Sequence, residues 1–158
     1  MAKPAQVKQI IKEYFDSHKY SYDLEEKDIW FLRASFRTET SKGIIGIVFV
    51  VYNLDINITT SYSNPIPVEN FGVTAEFLLR VNRYLKRGHF YLDYETGVVH
   101  FKMWNSLKGR ITDSDINELV MITVGSLETM MSVLDKVIKE EMTISDGIRF
   151  YVTGGADG

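Results

Sequence analysis

The feature that most constrains the fold is the stretch of residues 77–107, FLLRVNRYLKRGHFYLDYETGVVHFKMWNSL. Its first part has apolar residues at helical spacing and runs to Gly88, a residue type that often ends a helix in left-handed backbone. Two alternating runs at residues 89–94 and 98–105 follow, and Gly97 between them can adopt the positive φ of a short hairpin loop. One face of this hairpin would hold the apolar side chains of Phe90, Leu92, Val99, Phe101 and Met103. The stretch therefore predicts a helix followed at once by a β-hairpin.

The part of the chain before this stretch predicts a helix and then three strands. Residues 4–18 place apolar side chains on one stripe at helical spacing, and the acidic run at residues 23–28 is typical of a solvated connector. Strands with short connections, and hence antiparallel pairing, are predicted at residues 29–37, 44–54 and 56–63. The second of these strands carries the apolar run IIGIVFVVY and is predicted to be buried on both faces.

Two more helices complete the prediction. The helix of the opening stretch is predicted to begin at Pro67, since proline suits the first position of a helix. A long helix is predicted after the hairpin, because apolar residues there keep a 3.6-residue period without a break to Ile138. Thr112, with Asp115 three residues later, forms a capping box at its start. Residues 148–152 are apolar and could add a strand at the edge of the sheet.

The predicted fold class is therefore α+β, with an antiparallel sheet of five or six strands and three helices. The element order is helix, three strands, helix, two strands and helix. One more strand follows if residues 148–152 pair with the edge of the sheet. We expect a single domain at residues 1–153 and a disordered tail at residues 154–158.

Three motifs in the opening stretch carry a family resemblance. They are a Val-Asn-Arg-x-Leu run at residues 81–85, a Gly-x-Phe-x-Leu-Asp run at residues 88–93, and a turn glycine followed by Val-x-Phe at residues 97–101. With the long helix that follows a Thr-Asp pair, they resemble the YbjN family over residues 7–138. The resemblance implies a fold similar to type III secretion chaperones, in a bacterial cytoplasmic protein described as a sensory-transduction regulator. It implies no catalytic residues, because the motifs consist of packing residues.

The composition argues against several classes of function. The chain of 158 residues has no cysteine, which removes disulfides, thiolate catalysis and cysteine metal sites. Its net charge of −3 gives no general attraction for nucleic acid or anionic membranes. The longest apolar run is far shorter than the roughly 20 residues that a membrane helix needs. We expect a cytoplasmic protein that binds no membrane.

No catalytic, metal or cofactor site is predicted. The three histidines, His18, His89 and His100, lack the spacing of metal ligands, although the last two could approach one another across the hairpin. Clusters of carboxylates fall in connectors, turns and helix starts, where acidic residues are common for reasons of local backbone structure. The chain is therefore predicted not to be an enzyme.

A basic strip lies near the end of the second predicted helix, and its residues are Arg80, Arg83, Lys86 and Arg87. Such a strip can bind phosphate groups. Cations near a helix C-terminus also offset the negative end of the helix, and in an acidic chain this is the favoured interpretation. Nucleic-acid binding is accordingly disfavoured.

The most informative candidate site is the sheet face that would point away from the helices. Strand alternation places six residues on it: Phe31, Arg33, Tyr91, His100, Lys102 and Trp104. Val48, Val50 and Tyr52 join them for one parity of their strand, which the sequence leaves ambiguous. Aromatic residues with arginine are typical of interface cores. A half-solvated sheet face has a similar composition, and the third helix could also cover this face, so the alternatives stay open.

Two hypotheses of function follow. The first is an interaction module, chaperone-like or regulatory, that binds an unidentified protein partner or forms a homodimer through the six residues. The alternative is a small-ligand sensor with a pocket between the sheet and the long helix. An enzyme is the weakest of the possibilities.

Overall fold

The computed structural model of the protein describes residues 3–38, 42–53, 55–106 and 109–155. In chain order the elements are α1 (Pro4–Ser17), β1 (Tyr22–Glu26), β2 (Trp30–Arg37), β3 (Ile44–Tyr52), β4 (Asp55–Tyr62), a 3₁₀ turn (Val68–Asn70), α2 (Phe71–Asn82), β5 (His89–Leu92), β6 (Val99–Ser106), α3 (Asp113–Ile138) and α4 (Ile144–Thr153). The strands of this part of the chain form one six-stranded sheet in the order β1-β2-β3-β4-β6-β5, with every pair antiparallel. The predicted α+β class is confirmed.

The helices lie on one side of the sheet. α3 crosses β3, β4 and β6, α1 packs on β3 and α3, and α2 packs on β5. Alternate side chains of the strands enter the core beneath them, and the largest of these inward residues are fully buried: Leu32, Ile47, Phe49, Ile58, Phe90 and Phe101. The long helix α3 therefore covers the face that carries these buried side chains. The described helices all leave the opposite face of the sheet uncovered.

The first strand corrects the sequence prediction. Residues 23–28 were expected to form a solvated connector, but most of them belong to β1. Tyr22 and Leu24 alternate with acidic residues and pack against the core, and Leu24 pairs with Leu32 of β2. Two apolar residues suffice here because the neighbouring strand supplies the hydrogen-bonding partners.

The prediction that β3 is buried on both faces is wrong. Its inward residues, Ile45, Ile47, Phe49 and Val51, are buried, while the residues between them are only half-buried. The reason is that the helices cover a single face. The outward parity of Val48 and Val50, ambiguous in the sequence, is thus resolved.

The second helix is shorter than expected. It begins at Phe71 and ends at Asn82, well before Gly88. The Asn82 side chain binds the main chain of Phe90: its Nδ2 donates to the Phe90 oxygen (2.9 Å), and its Oδ1 accepts from the Phe90 N–H (2.8 Å). Gly88 has a positive φ of 74° but lies against β6, where a Cβ would be 2.9 Å from the Lys102 carbonyl oxygen. The motifs at residues 81–85 and 88–93 therefore form one packing unit.

The long helix is confirmed. α3 runs without a break for 26 residues, and its capping box is formed by the Thr112 N–H donating to Asp115 Oδ2 (2.7 Å) and the Asp115 N–H donating to Thr112 Oγ1 (3.3 Å). The buried Thr60 hydroxyl of β4 lies 3.3 Å from the Thr123 carbonyl oxygen and joins the sheet to this helix. None of the described helices, α3 included, combines the length and the apolar character needed to span a membrane.

The predicted edge strand at residues 148–152 is wrong, because these residues belong to α4. The Asp146 N–H donates to the Thr143 hydroxyl (3.1 Å) at the start of this helix, and Gly154 ends it in left-handed backbone. α4 packs against α2 and α3. Of the predicted disordered tail, two glycines belong to this helix end, and residues 156–158 lie outside the described part of the chain.

Candidate functional site

The candidate site is the sheet surface opposite the helices, which we call the outer face. The pairing register arranges its side chains in rows that run across the strands. The aromatic row is Phe31, Val50, Asn57 and Trp104; the basic row is Arg33, Val48, Thr59, Lys102 and His89; the polar row is Ser35, Gly46, Ser61, His100 and Tyr91. All six residues predicted from the sequence are among them. Whether they bind a partner remains a prediction.

The aromatic row is the most apolar part of the outer face. Trp104 is 60% exposed, whereas Phe31 and Val50 are half-buried beside their neighbours. The row crosses β2, β3, β4 and β6, a width of about 14 Å at the usual strand spacing. An indole of this exposure at the end of the row is a large apolar surface left in water, and it is the strongest single sign of an interaction surface here.

A cation lies over this apolar row. The guanidinium carbon of Arg33 is 4.8 Å from the centre of the Phe31 ring, and its Nη2 forms an ion pair with Glu25 of β1 at 3.2 Å. Both ionic side chains are about half exposed, so the pair adds little to stability. The arrangement holds a hydrogen-bonding group above the Phe31 ring on the outer face. Glu25 was missed by the sequence prediction because β1 was missed.

The polar row contains a serine–histidine contact. Ser61 Oγ lies 2.7 Å from His100 Nδ1, and the Tyr91 ring stacks on the imidazole with centroids 4.8 Å apart. Burial lowers the pKa of His100, and the charge of Asp93 opposes this only in part. Burial also raises the pKa of Tyr91. The row therefore presents neutral hydrogen-bonding groups near neutral pH.

This contact does not amount to a catalytic triad. The Asp93 carboxylate accepts a hydrogen bond from the Glu95 N–H (2.9 Å). This bond is the main reason that the pKa of Asp93 lies below its usual value, and a hydrogen bond from the Thr96 side chain lowers the pKa further. The hairpin turn thus fixes the carboxylate, and among the described residues no third group is hydrogen-bonded to the imidazole of His100 as a triad requires. Among the described residues, no group of three or more histidines and carboxylates could hold a metal ion.

Two concave regions bear on binding. On the outer face, a hollow of about 570 Å3 surrounds Gly46, which has no side chain to fill it, and Ser35 and Ser61 are among its lining residues. A second groove of about 430 Å3 lies between α3 and the connection from β4 to α2, and Ile66 and Met131 are among its lining residues. It is the concave region that corresponds best to the predicted pocket beside the long helix, and it carries charges of both signs.

The sequence could not identify several residues of the outer face. Asn57, Thr59 and Ser61 of β4 lie at its centre, but a polar alternation looks the same in any solvated strand. The hollow at Gly46 depends on the register between β2, β3 and β4. No local sequence signal would have revealed it.

Comparison with known proteins supports the fold. No protein-family model and no curated protein matches the chain. Among solved structures, the chain is similar to the crystal structure of YbjN from E. coli, a proposed transcription regulator, with 11% sequence identity and a TM-score of 0.59 over 84% of this chain and 92% of that chain. At this identity the likeness shows the fold alone. It confirms the YbjN-like fold that the sequence motifs predict.

Proposed function

We propose that this YbjN-like chain is a non-enzymatic interaction module, chaperone-like or regulatory, that binds a protein partner or a second copy of itself through the outer face. The observation that carries the proposal is the exposed Trp104 at the end of an apolar row on a sheet face that the described helices leave uncovered. The similarity to a proposed regulator is compatible with this role. A cytoplasmic location, expected from the sequence, stays a prediction.

The proposed mechanism is burial of an apolar segment of the partner along the aromatic row. The six strands are 4 to 9 residues long. At about 3.3 Å per residue and a spacing of about 4.8 Å they cover roughly 650 Å2, which is most of the roughly 800 Å2 per partner in a standard interface. Trp104 would be the anchor, while Arg33 and Lys102 would form hydrogen bonds and ion pairs around it. The hollow at Gly46 offers room for one side chain of the partner.

The same geometry argues against catalysis at the Ser61–His100 contact. A hydroxyl nucleophile needs an oriented base, donors for an oxyanion and shelter from water. The outer face is open, and the nearby carboxylate is bound by its own turn. The contact is better suited to hydrogen bonding with a partner.

The test is truncation of the anchor. Trp104→Ala should weaken association by about 2 kcal/mol, roughly thirtyfold, while the unfolding midpoint stays nearly unchanged, because the ring is already mostly in water in the free protein. Tyr94→Ala is the matched control: its ring is 63% exposed but lies on the helix side against Phe71. Sedimentation over a range of concentrations measures self-association.

If the purified protein is strictly monomeric, the homodimer version fails. The partner version is then tested by comparing what the native protein and Trp104→Ala retain from the host lysate. Equal retention by both, or a large loss of stability in Trp104→Ala, would remove the support for the outer face as an interface.

The alternative function, a small-ligand sensor, would use the groove beside α3. Its volume of about 430 Å3 lies within the range of small-molecule sites. A sensor predicts that a library of metabolites contains a compound that raises the unfolding midpoint, since binding to the folded state stabilises it. Ser132→Trp, at an exposed residue that lines the groove, should abolish that rise.

A further inference from the structure

We propose that the groove between α2 and α4 is a second binding site, which takes a short acidic protein segment bearing an apolar side chain. This arginine groove has a volume of about 350 Å3, and its principal lining residues are Arg80, Arg83, Tyr84, Ile148, Arg149 and Val152. It lies on the helix side of the molecule and shares no residue with the outer face.

The charge of the groove selects the ligand. Of the described residues that line it, three are arginines and none is an aspartate or glutamate. Arg80 and Arg149 contact neighbouring acids on their own helices at 3.7 and 3.6 Å, but such exposed pairs are weak and easily exchanged. Among the described residues, no carboxylate lies within ion-pair distance of Arg83. Guanidinium groups bind carboxylates in a bidentate manner, which makes an acidic side chain a fitting ligand.

The helix dipole does not explain the whole cluster. Arg80 and Arg83 lie at the C-terminal end of α2, where cations offset the negative helix end. Arg149 lies in the middle of α4, and its last turn carries no basic residue. Its position beside the α2 arginines results from the packing of two separate helices. That convergence is what distinguishes the groove from an ordinary basic helix end.

The apolar part of the groove points to protein as the ligand. Tyr84 is 57% and Val152 is 48% exposed along its walls, and Ile148 is buried at its base. The α4 side, from Ser145 to Thr153, is about 12 Å long, which matches three or four extended residues. A long polyanion such as nucleic acid is disfavoured, because most of its charge would lie outside the groove, along a chain with a net charge of −3, whereas a short segment keeps its charge at the arginines.

The experiment uses the isotope-labelled full chain and a synthetic octapeptide of alternating glutamate and leucine. Titration followed by amide chemical shifts should give saturable changes in α2 and α4. Arg83→Glu combined with Arg149→Glu should weaken binding at least about tenfold. Arg37→Glu combined with Arg110→Glu makes the same change of net charge away from the groove and should preserve most of the binding. Trp104→Ala should bind normally, so failure of the outer face and failure of the groove are distinguishable.

Four outcomes would overturn the proposal. The first is that no binding is seen at about 1 mM peptide. The second is that Arg83→Glu with Arg149→Glu binds as the native protein does, and the third is that the control pair weakens binding equally. The fourth is that a single-stranded oligonucleotide binds the same residues more tightly than the peptide. If the charge-reversed groove variant does not fold, Arg83→Gln with Arg149→Gln makes the same comparison. A peptide with lysine in place of glutamate should not bind.

Discussion

Replacing Gly147 by alanine tests how α4 is attached to the rest of the molecule. Gly147 lies in the first turns of α4, and a Cβ added there would lie 2.9 Å from Val137 Cγ2 and 3.0 Å from Phe77 Cε2. Both neighbours are buried, so neither can move aside freely. Gly125 in α3 is the matched control, because a Cβ at that position would have no atom within 4 Å outside its own helix.

The expected magnitudes follow from these contacts. Alanine in place of glycine inside a helix stabilises a protein by about 0.5–1 kcal/mol. At Gly125 this gain should appear in full. At Gly147 it should be offset by overpacking, which costs about 1–3 kcal/mol in a tight core. The propensity gain largely cancels between the two variants, so their difference in unfolding free energy isolates the overpacking and should be about 1–3 kcal/mol.

Urea denaturation followed by circular dichroism measures both variants. We expect the urea midpoint of Gly125→Ala to rise and that of Gly147→Ala to fall. Thermal unfolding should show the same order, because in a protein of this size about 1 kcal/mol corresponds to roughly 2–4 °C in the thermal midpoint. An equal rise in both variants would show that Gly147 does not contact Phe77 and Val137. α4 would then not be packed as described, and the residues that it contributes to the arginine groove would not lie beside those of α2.

Two further predictions concern hydrogen bonding and protonation. Asn82→Ala should destabilise the protein by about 1–3 kcal/mol in the same denaturation assay, because it leaves the Phe90 N–H and carbonyl without their side-chain partners; a loss below the error of the assay would mean that water replaces the amide. Burial lowers the pKa of His100 from 6.5, so the stability tied to its neutral form is complete above that value and is lost as the pH falls through the folded pKa. Unfolding free energy should therefore fall on acidification from about pH 7.5 to about pH 5, and His100→Gln should flatten that part of the profile; an identical slope in the variant would contradict the assignment.

The sequence predicted the elements that have long or strongly alternating patterns. The unbroken period up to Ile138 identified α3, and alternation around Gly97 identified the hairpin and its inward face. Together with the alternation in residues 29–37, it placed the six candidate residues on the outer face. Because these patterns are repeated over many residues, a single unusual residue does not obscure them.

The errors fall on short segments whose structure is decided by tertiary contacts. β1 has two apolar residues among acids, and it becomes a strand only because β2 is beside it. α4 contains β-prone residues at 148–152, yet Thr143 and Asp146 carried a helix-start signal that was available in the sequence. Gly147 serves close packing between helices, a role that no local sequence pattern reveals. The arginine groove was invisible for the same reason, since Arg149 joins it only when α4 is a helix.

The hydrogen bonds of Asn82 also limit how the sheet can grow. The Phe90 N–H and carbonyl face away from β6 at the free edge of β5, where an added strand would form its ladder, and both are occupied by the Asn82 amide. At the other edge, the acidic side chains of β1 would bring like charges together if two copies met edge to edge. Strand addition is therefore opposed at both edges of the sheet. At β5 the Asn82 side chain takes the hydrogen bonds that an added strand would form, and at β1 the acidic side chains repel a second copy. A partner that recognises the sheet is directed to its outer face.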